Sequence, residues 1–167
     1  MILVAVGTFI HGFDALVEAA DAAAAKLGLP GFAQIGHSRA IPTTLSWERF
    51  LPPDALAKRL AATRLVICHG GIGLLGEAMR AGKPIVAMPR RGRPTAASPA
   101  GDQLALLLRL TEHHPIRVCE HPAELTSIVR ALLDAGLAPQ RYALGSEVPR
   151  LVAAYLAIGS GMPHPGR

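Results

Sequence analysis

Short apolar segments alternate along this chain with longer segments in which apolar residues recur at helical spacing. The apolar segments predict strands at residues 2–6, 32–35, 46–51, 65–68, 85–88 and 116–119. The helical patterns predict helices at residues 13–27, 54–63, 72–81, 102–112, 122–135 and 146–158, the second of them capped by Asp54. This alternation predicts an α/β fold, a parallel sheet with helices on both faces. Ligands bind such sheets at the carboxyl ends of the strands, where the loops begin.

The length of the chain, 167 residues, allows one domain. We predict a single domain over residues 1–158 and a flexible tail over residues 159–167, a segment rich in glycine and proline. Half of the residues are hydrophobic and only 4% are aromatic, so the core is expected to be aliphatic.

The apolar runs and the cysteines of the chain indicate the cellular compartment in which it is expected to act. No apolar run approaches the roughly 18 residues that a membrane-spanning helix requires. The first residues form an apolar strand pattern without a basic region, which is not typical of a signal peptide. Two cysteines, Cys68 and Cys119, are too few for a disulfide framework. A reduced, cytoplasmic protein is therefore expected.

The net charge of +5 points to an anionic partner. Nucleic acid is not expected, because the chain has no long basic run, no zinc-ligand spacing and no aromatic residues interleaved with basic ones. The densest basic cluster comprises Arg90, Arg91 and Arg93. A phosphate contact, a surface for anionic lipid and a solvated loop all remain open for this cluster.

The strongest local motif is a strand at residues 65–68 that turns through Gly70, Gly71 and Gly73 into a helix. Glycines allow a ligand to approach the backbone, and a helix N-terminus offers unpaired N–H groups that suit a diphosphate. Glu77, in the same helix, could accept hydrogen bonds from a ribose diol. The alternative is that the glycines only permit tight packing and that Glu77 is a solvated helix residue.

The same turn also matches the dinucleotide fingerprint Gly71-x-Gly73-x-x-Gly76. It does not lie in the first βαβ unit, however, and the next strand ends in Pro-Arg-Arg instead of an acidic residue. Because Arg90 and Arg91 could bind a 2′-phosphate, an NADP-dependent oxidoreductase remains an alternative.

Other catalytic motifs are weaker. The chain has no Asp-x-Asp pair, so a metal-bridged diphosphate is not expected, and no His/Cys cluster has zinc spacing. Cys68 beside His69 is expected to be structural, and His113 and His114 to favour a helix C-terminus. The absence of a Gly-x-Ser-x-Gly elbow argues against a hydrolase.

Several motifs occur together in one order: Val6-Gly7-Thr8, Gln34-Ile35-Gly36-His37-Ser38, the turn from His69 to Glu77, Gly82-Lys83-Pro84 and Asp102-Gln103. With this order, roughly residues 1–135 resemble the glycosyltransferase family 28 C-terminal domain in its stand-alone form, the sugar-nucleotide-binding subunit of two-piece enzymes. Relatives of that form include the eukaryotic UDP-GlcNAc transferase subunit of lipid-linked oligosaccharide synthesis and bacterial exopolysaccharide subunits. The resemblance implies a Rossmann-like parallel sheet, the C-terminal half of a GT-B glycosyltransferase.

For the site, the resemblance implies Gly7, Thr8 and the turn after His69 near the diphosphate, residues 50–51 near the uracil, Glu77 at the ribose, and Asp102 and Gln103 at the donor sugar. Relatives often end the last segment in Asp-His-Gln, whereas here it is Gly-Asp102-Gln103. With Arg90 added for its charge, the predicted donor-binding residues are Gly7, Thr8, Phe50, Leu51, His69, Gly70, Gly71, Ile72, Gly73, Glu77, Arg90, Asp102 and Gln103.

Transfer with inversion at the anomeric carbon requires a general base for the acceptor hydroxyl. The candidates are His11, in the first loop, and a residue of a partner chain. The resemblance implies a UDP-sugar donor, a lipid-linked sugar acceptor, a membrane-associated acceptor-binding subunit and no cofactor, with a homodimer possible in isolation. A non-catalytic UDP-sugar-binding module is the second hypothesis.

Overall fold

The computed structural model describes residues 1–92 and 103–142, at whose centre lie six parallel strands. The strands are β1 (Ile2–Ala5), β2 (Gly31–Gln34), β3 (Ser46–Glu48), β4 (Leu65–His69), β5 (Ile85–Met88) and β6 (Ile116–Val118). Their spatial order is β3-β2-β1-β4-β5-β6. The chain therefore builds one half of the sheet outward from β1, crosses back and builds the other half from β4. The carboxyl ends of β1 and β4 define the crevice where such folds bind ligands.

Helices cover both faces of the sheet, as the alternating pattern predicts. The helices are α1 (Asp14–Leu27), α2 (Pro53–Ala62), α3 (Ile72–Arg80), α4 (Leu104–Thr111) and α5 (Leu125–Asp134), with a 3-10 turn at Pro122–Glu124. Alternate strand residues point to opposite faces. Val4 and Ile67 share a core with α1 and α5, whereas Leu3 and Val66 share a second core with α2, α3 and α4. Both cores are mainly aliphatic.

The sequence predicts these elements with small errors at their ends. The largest is at the third strand, predicted over residues 46–51, which covers only Ser46–Glu48 at the edge of the sheet. The prediction that Asp54 caps α2 is wrong, because the helix begins at Pro53 after an extended Pro52 and has no side-chain cap. Proline at the first helical position lacks the N–H that a cap would satisfy.

Several predictions fall outside the described residues. The helix at residues 146–158, the tail at residues 159–167 and Asp102 all lie there. The single domain over residues 1–158 therefore stays a prediction. Within residues 1–92 and 103–142, no helix is long and apolar enough to cross a membrane.

Candidate functional site

The loops after β1 and β4 meet around the imidazole of His69. A Cβ atom added at Gly7 would lie 2.7 Å from His69 Cε1, and one added at Gly71 would lie 2.8 Å from the same atom. Both distances are shorter than side chains tolerate, so the ring edge occupies the space that two glycines leave free. Gly7 also has a φ of +73°, which favours glycine. The predicted residues Gly7, His69 and Gly71 are therefore neighbours at the crevice.

His69 is neutral at physiological pH. Burial disfavours the charged imidazolium, and the nearby positive charge of Arg90 acts in the same direction, so the pKa of His69 falls to about 4. The carbonyl of Ala5 acts in the opposite direction without offsetting these effects. A neutral imidazole has one N–H donor and one acceptor nitrogen, and the hydrogen bond to the carbonyl of Ala5 uses the donor of His69.

The first turn of α3 is open to a ligand. The helix begins after Gly71, which supplies no side-chain cap, so its first N–H groups lack partners within the helix. Ile72 is 65% exposed, and a Cβ added at Gly73 would have no atom of the described residues within 4 Å. Glu77 follows on the same helix, partly exposed. This arrangement suits an anion such as a diphosphate.

Gln103 joins the ends of β4 and β5 at the side of the crevice. Its Oε1 accepts hydrogen bonds from the backbone N–H of Gly70 at 2.9 Å and of Arg90 at 3.1 Å. A Cβ added at Gly70 would lie 2.9 Å from the Cβ of Gln103, so this glycine is required by packing. The carboxamide oxygen of Gln103 is thus engaged within the protein, and its contact with a donor sugar stays a prediction.

The loop after β1 presents exposed side chains at its tip. Thr8 and His11 are both exposed, and the ring of His11 meets that of Phe9 edge to face with centroids 5.2 Å apart. His11 is accessible from solvent, as a base for an incoming acceptor must be. Its role as a base stays a prediction.

Residues 50 and 51 follow β3 and lie at the carboxyl edge of the sheet, on the side away from His69. The ring of Phe50, which is 44% exposed, meets His37 edge to face with centroids 5.0 Å apart. Leu51 is half-buried and packs against the core shared with α2. The residues 50–51 that are predicted to contact a base therefore lie at the carboxyl edge, with two strands, β2 and β1, between β3 and the strand that carries His69.

Arg90 follows β5, and its guanidinium points back to the first loop. Nη1 donates to the carbonyl of Gly12 and Nη2 to the carbonyl of Val6, the latter at 2.9 Å. The guanidinium carbon lies 4.6 Å from the ring centroid of Phe13. Two of the five N–H donors of Arg90 thus serve the backbone, its buried Nε has no partner among the described residues, and its contact with a phosphate stays a prediction. The neighbouring Arg91 lies 3.6 Å from Glu120.

Sequence reasoning missed the polar residues that fix these loops. Gln34 is 6% exposed and holds Gly7 through both backbone groups, at 2.9 and 3.0 Å. Ser38 Oγ accepts from the N–H of Phe13 at 2.8 Å. Arg49 Nη1 donates to the carbonyls of Gly36 and Ser38 at 3.1 and 3.0 Å. A polar glutamine at the end of a buried strand is the one signal that could have suggested the first contact.

Potential metal ligands are dispersed in the described part of the chain. Across residues 1–92 and 103–142, no three His, Cys, Asp or Glu side chains come together in a way that could hold a metal ion.

A parallel sheet with an uncapped helix N-terminus beside its central crevice is typical of the class of nucleotide-binding α/β domains. The chain belongs to the glycosyltransferase family 28 C-terminal domain family, whose model matches residues 1–97. This match is shorter than the resemblance over residues 1–135 that the motifs predict. No curated protein sequence matches the chain.

Several solved structures share the fold. MurG of Acinetobacter baumannii is 21% identical, with a TM-score of 0.58, over 92% of this chain and 49% of its own. The glycosyltransferase SnogD of Streptomyces nogalater is 21% identical, with a TM-score of 0.59, over 81% of this chain and 35% of its own. A putative UDP-N-acetylglucosamine 2-epimerase of Listeria monocytogenes is 15% identical, with a TM-score of 0.57, over 98% of this chain and 46% of its own.

These similarities confirm the predicted fold class, a Rossmann-like α/β sheet of the kind found in the C-terminal halves of GT-B glycosyltransferases. The chain spans about a third to a half of the length of these structures. Because a glycosyltransferase and an epimerase share the fold, the fold by itself does not specify the reaction.

Proposed function

We propose that this chain is the donor-binding subunit of a two-component glycosyltransferase that moves a sugar from a UDP-sugar to a lipid-linked acceptor in polysaccharide synthesis. The observation that supports this most is the meeting of Gly7, His69 and the open first turn of α3 at the crevice between β1 and β4. Membership of the family supports sugar transfer over other uses of the fold.

The site has the groups that a departing diphosphate requires. The chemical step leaves negative charge on the leaving UDP, and prearranged N–H donors lower the barrier for such charge. The unpaired N–H groups at the start of α3 are the donors at hand. This set works without a metal ion, which fits the metal-independent transfer that we propose.

A second subunit supplies the acceptor side in this proposal. The chain spans about half or less of the length of the structures it resembles, and in this proposal a separate chain carries the acceptor-binding half. We propose that this partner is membrane-associated, that it brings the lipid-linked sugar, and that the chain acts at the cytoplasmic face of the membrane through it. The base for an inverting transfer is then His11 or a residue of the partner.

Titration calorimetry and thermal shift with a nucleotide panel test the proposal. The panel contains UDP, UDP-GlcNAc, UDP-glucose, UDP-glucuronate and NADPH, each measured with and without the co-expressed partner. We expect uridine nucleotides to raise the melting temperature, because a ligand of the native state stabilises it. Absence of binding by every uridine nucleotide, in both forms, refutes the proposal, and stabilisation by NADPH alone favours the oxidoreductase.

Two variants localise the site. Glu77→Gln keeps the shape of the side chain but weakens acceptance of hydrogen bonds from a ribose, so we expect it to reduce UDP affinity by about tenfold. Glu18→Gln, an exposed change on α1, is the matched control and leaves affinity unchanged. Binding of UDP without transfer in any complex with the partner assigns the chain to the non-catalytic module instead.

A further inference from the structure

Residues 7–13 join β1 to α1, and neighbouring side chains hold both ends of this loop. Gln34 accepts from the N–H of Gly7 and donates to its carbonyl, and Ser38 accepts from the N–H of Phe13. Between these anchors, residues 8–11 are exposed. The tip that carries Thr8 and His11 therefore projects from a fixed base.

Arg90 spans the base of this loop from one end to the other. Its Nη2 donates to the carbonyl of Val6, just before the loop, and its Nη1 donates to the carbonyl of Gly12, near its end. The rings of Phe9 and Phe13 lie 5.3 and 4.6 Å from the guanidinium carbon. A planar guanidinium suits this double contact, because its donors form a rigid fork and its faces accept aromatic rings.

The backbone of Arg90 is also held in place. Gln103 accepts from the N–H of Arg90 with Oε1 at 3.1 Å, and its own backbone N–H donates to the carbonyl of Arg90 at 3.0 Å. The same Oε1 accepts from Gly70. Gln103 thus fixes the backbone of Arg90 to the ends of β4 and β5.

We propose that Arg90 is a positioning residue: by bridging the two ends of the loop at residues 7–13, it sets the geometry in which Thr8 and His11 meet the ligand, and it does not bind the ligand's phosphates. The part of this inference that concerns ligand binding rests on the proposed function, whereas the part that concerns the geometry of the loop does not.

Arg90 gives two of its five N–H donors to the carbonyls of Val6 and Gly12, and its buried Nε has no partner among the described residues. A guanidinium that turned toward a phosphate would leave both carbonyls. The carbonyls of Val6 and Gly12 would lose their charged donor, and Val6 is buried. A hydrogen bond from a charged donor is among the stronger ones in a protein, so this exchange is unfavourable. The N–H groups at the start of α3 offer an anion a contact without such a loss.

Three variants test the inference. Arg90→Met removes the donors and keeps much of the length, Arg90→Lys keeps the charge but not the fork, and Arg64→Met removes an exposed charge at the amino end of β4 as the control. In the free protein, we expect Arg90→Met to speed amide hydrogen exchange at residues 8–13 by roughly tenfold or more, with Arg90→Lys between it and wild type. The control leaves exchange there unchanged.

Binding of UDP, measured by calorimetry, separates positioning from direct contact. We expect Arg90→Met to weaken binding by about tenfold and Arg90→Lys to restore little of it. We also expect Thr8→Ala to weaken binding in wild type but to have little further effect in Arg90→Met, because Arg90 acts through the loop.

The inference is overturned, and Arg90 becomes a phosphate ligand, if two results occur together. Amide hydrogen exchange in the loop is unchanged in Arg90→Met, and either the effects of Arg90→Met and Thr8→Ala on UDP binding are additive or Arg90→Lys fully restores UDP binding. If the wild-type protein fails to bind UDP, the proposed function fails, while the exchange measurement still decides whether Arg90 holds the loop at residues 7–13. If Arg90→Met does not fold, Arg90→Lys carries the same measurements.

Discussion

Two glycines of the turn after β4 have opposite surroundings, and alanine at each should change stability in opposite directions. An added Cβ at Gly71 would lie 2.8 Å from Cε1 of His69 and closer still to Nε2, whereas one at Gly73 meets no atom of the described residues within 4 Å. Gly71 has a φ of −78°, a conformation that alanine adopts, so the effect there is steric and not conformational.

The magnitude follows from the space around the imidazole. The edge of the ring that faces Gly71 also faces Gly7, at 2.7 Å from an added Cβ, so the ring gains room from one glycine only by moving toward the other. Overpacking of this kind costs about 1–3 kcal/mol, so we expect Gly71→Ala to lower the free energy of unfolding by that amount. Gly73→Ala lies in the first turn of α3 and should raise it by about 0.5 kcal/mol through helix propensity.

Urea denaturation followed by far-UV circular dichroism, with thermal scans beside it, measures both effects. A loss of 1–3 kcal/mol corresponds to a fall in Tm of roughly 2–10 °C for a chain of this size. Equal stability of Gly71→Ala and wild type, or equal destabilisation by both substitutions, would refute the steric reasoning. UDP titration of Gly73→Ala adds a second test, because we expect this variant to be more stable and yet to bind UDP more weakly.

Three further predictions concern charge. As pH falls from about 6.5 to about 4, His69 takes up a proton in the unfolded chain but stays neutral in the native protein, so the free energy of unfolding decreases over this interval. Denaturation measured at several pH values should show a smaller decrease for His69→Gln. Burial of Asp21 alone would raise its pKa, but hydrogen bonds from Thr43, Thr44 and Leu45 outweigh it and lower that pKa below 3.8. This stability is present above pH 3.8 and lost as pH falls further, and Asp21→Asn should cost about 1 kcal/mol at neutral pH, against no change for Glu18→Gln. Lys83 Nζ donates to the carbonyls of Ala61 and Thr63 at 3.0 and 2.8 Å, so Lys83→Met should lower the free energy of unfolding by about 1–2 kcal/mol in urea denaturation, whereas Lys58→Met should not.

The central part of the sheet could be predicted because β1, β2, β4 and β5 are buried on both faces. β5 has the same bounds in the prediction and in the structure, since a buried parallel strand is an uninterrupted apolar run between turn signals. β3 was predicted too long, because it is an edge strand whose exposed residues carry no burial pattern. The places of Gly7 and His69 near the ends of central strands could be predicted in the same way, and their role in binding stays a prediction.

The contacts that organise the site could not be predicted in this way. Gln34 and Gly7 are 27 residues apart, and Arg90 and Val6 are 84 apart, so no local periodicity encodes their pairing. Arg90 is predicted from its charge to contact a phosphate, and the structure adds that its Nη1 and Nη2 donate to the carbonyls of Gly12 and Val6. Charge indicates what a side chain can bind, whereas the fold decides which acceptor lies within reach.

The three glycines of the turn after β4 differ in whether packing alone explains them. Gly70 is required by Gln103 and Leu107, which would lie 2.9 and 3.0 Å from an added Cβ, and Gly71 is required by His69. The view that these glycines only permit tight packing is therefore sufficient for those two positions. At Gly73 it is not, because the described residues leave open space there and glycine weakens a helix. Close approach of a ligand to the backbone at Gly73 stays a prediction, which the UDP titration of Gly73→Ala tests.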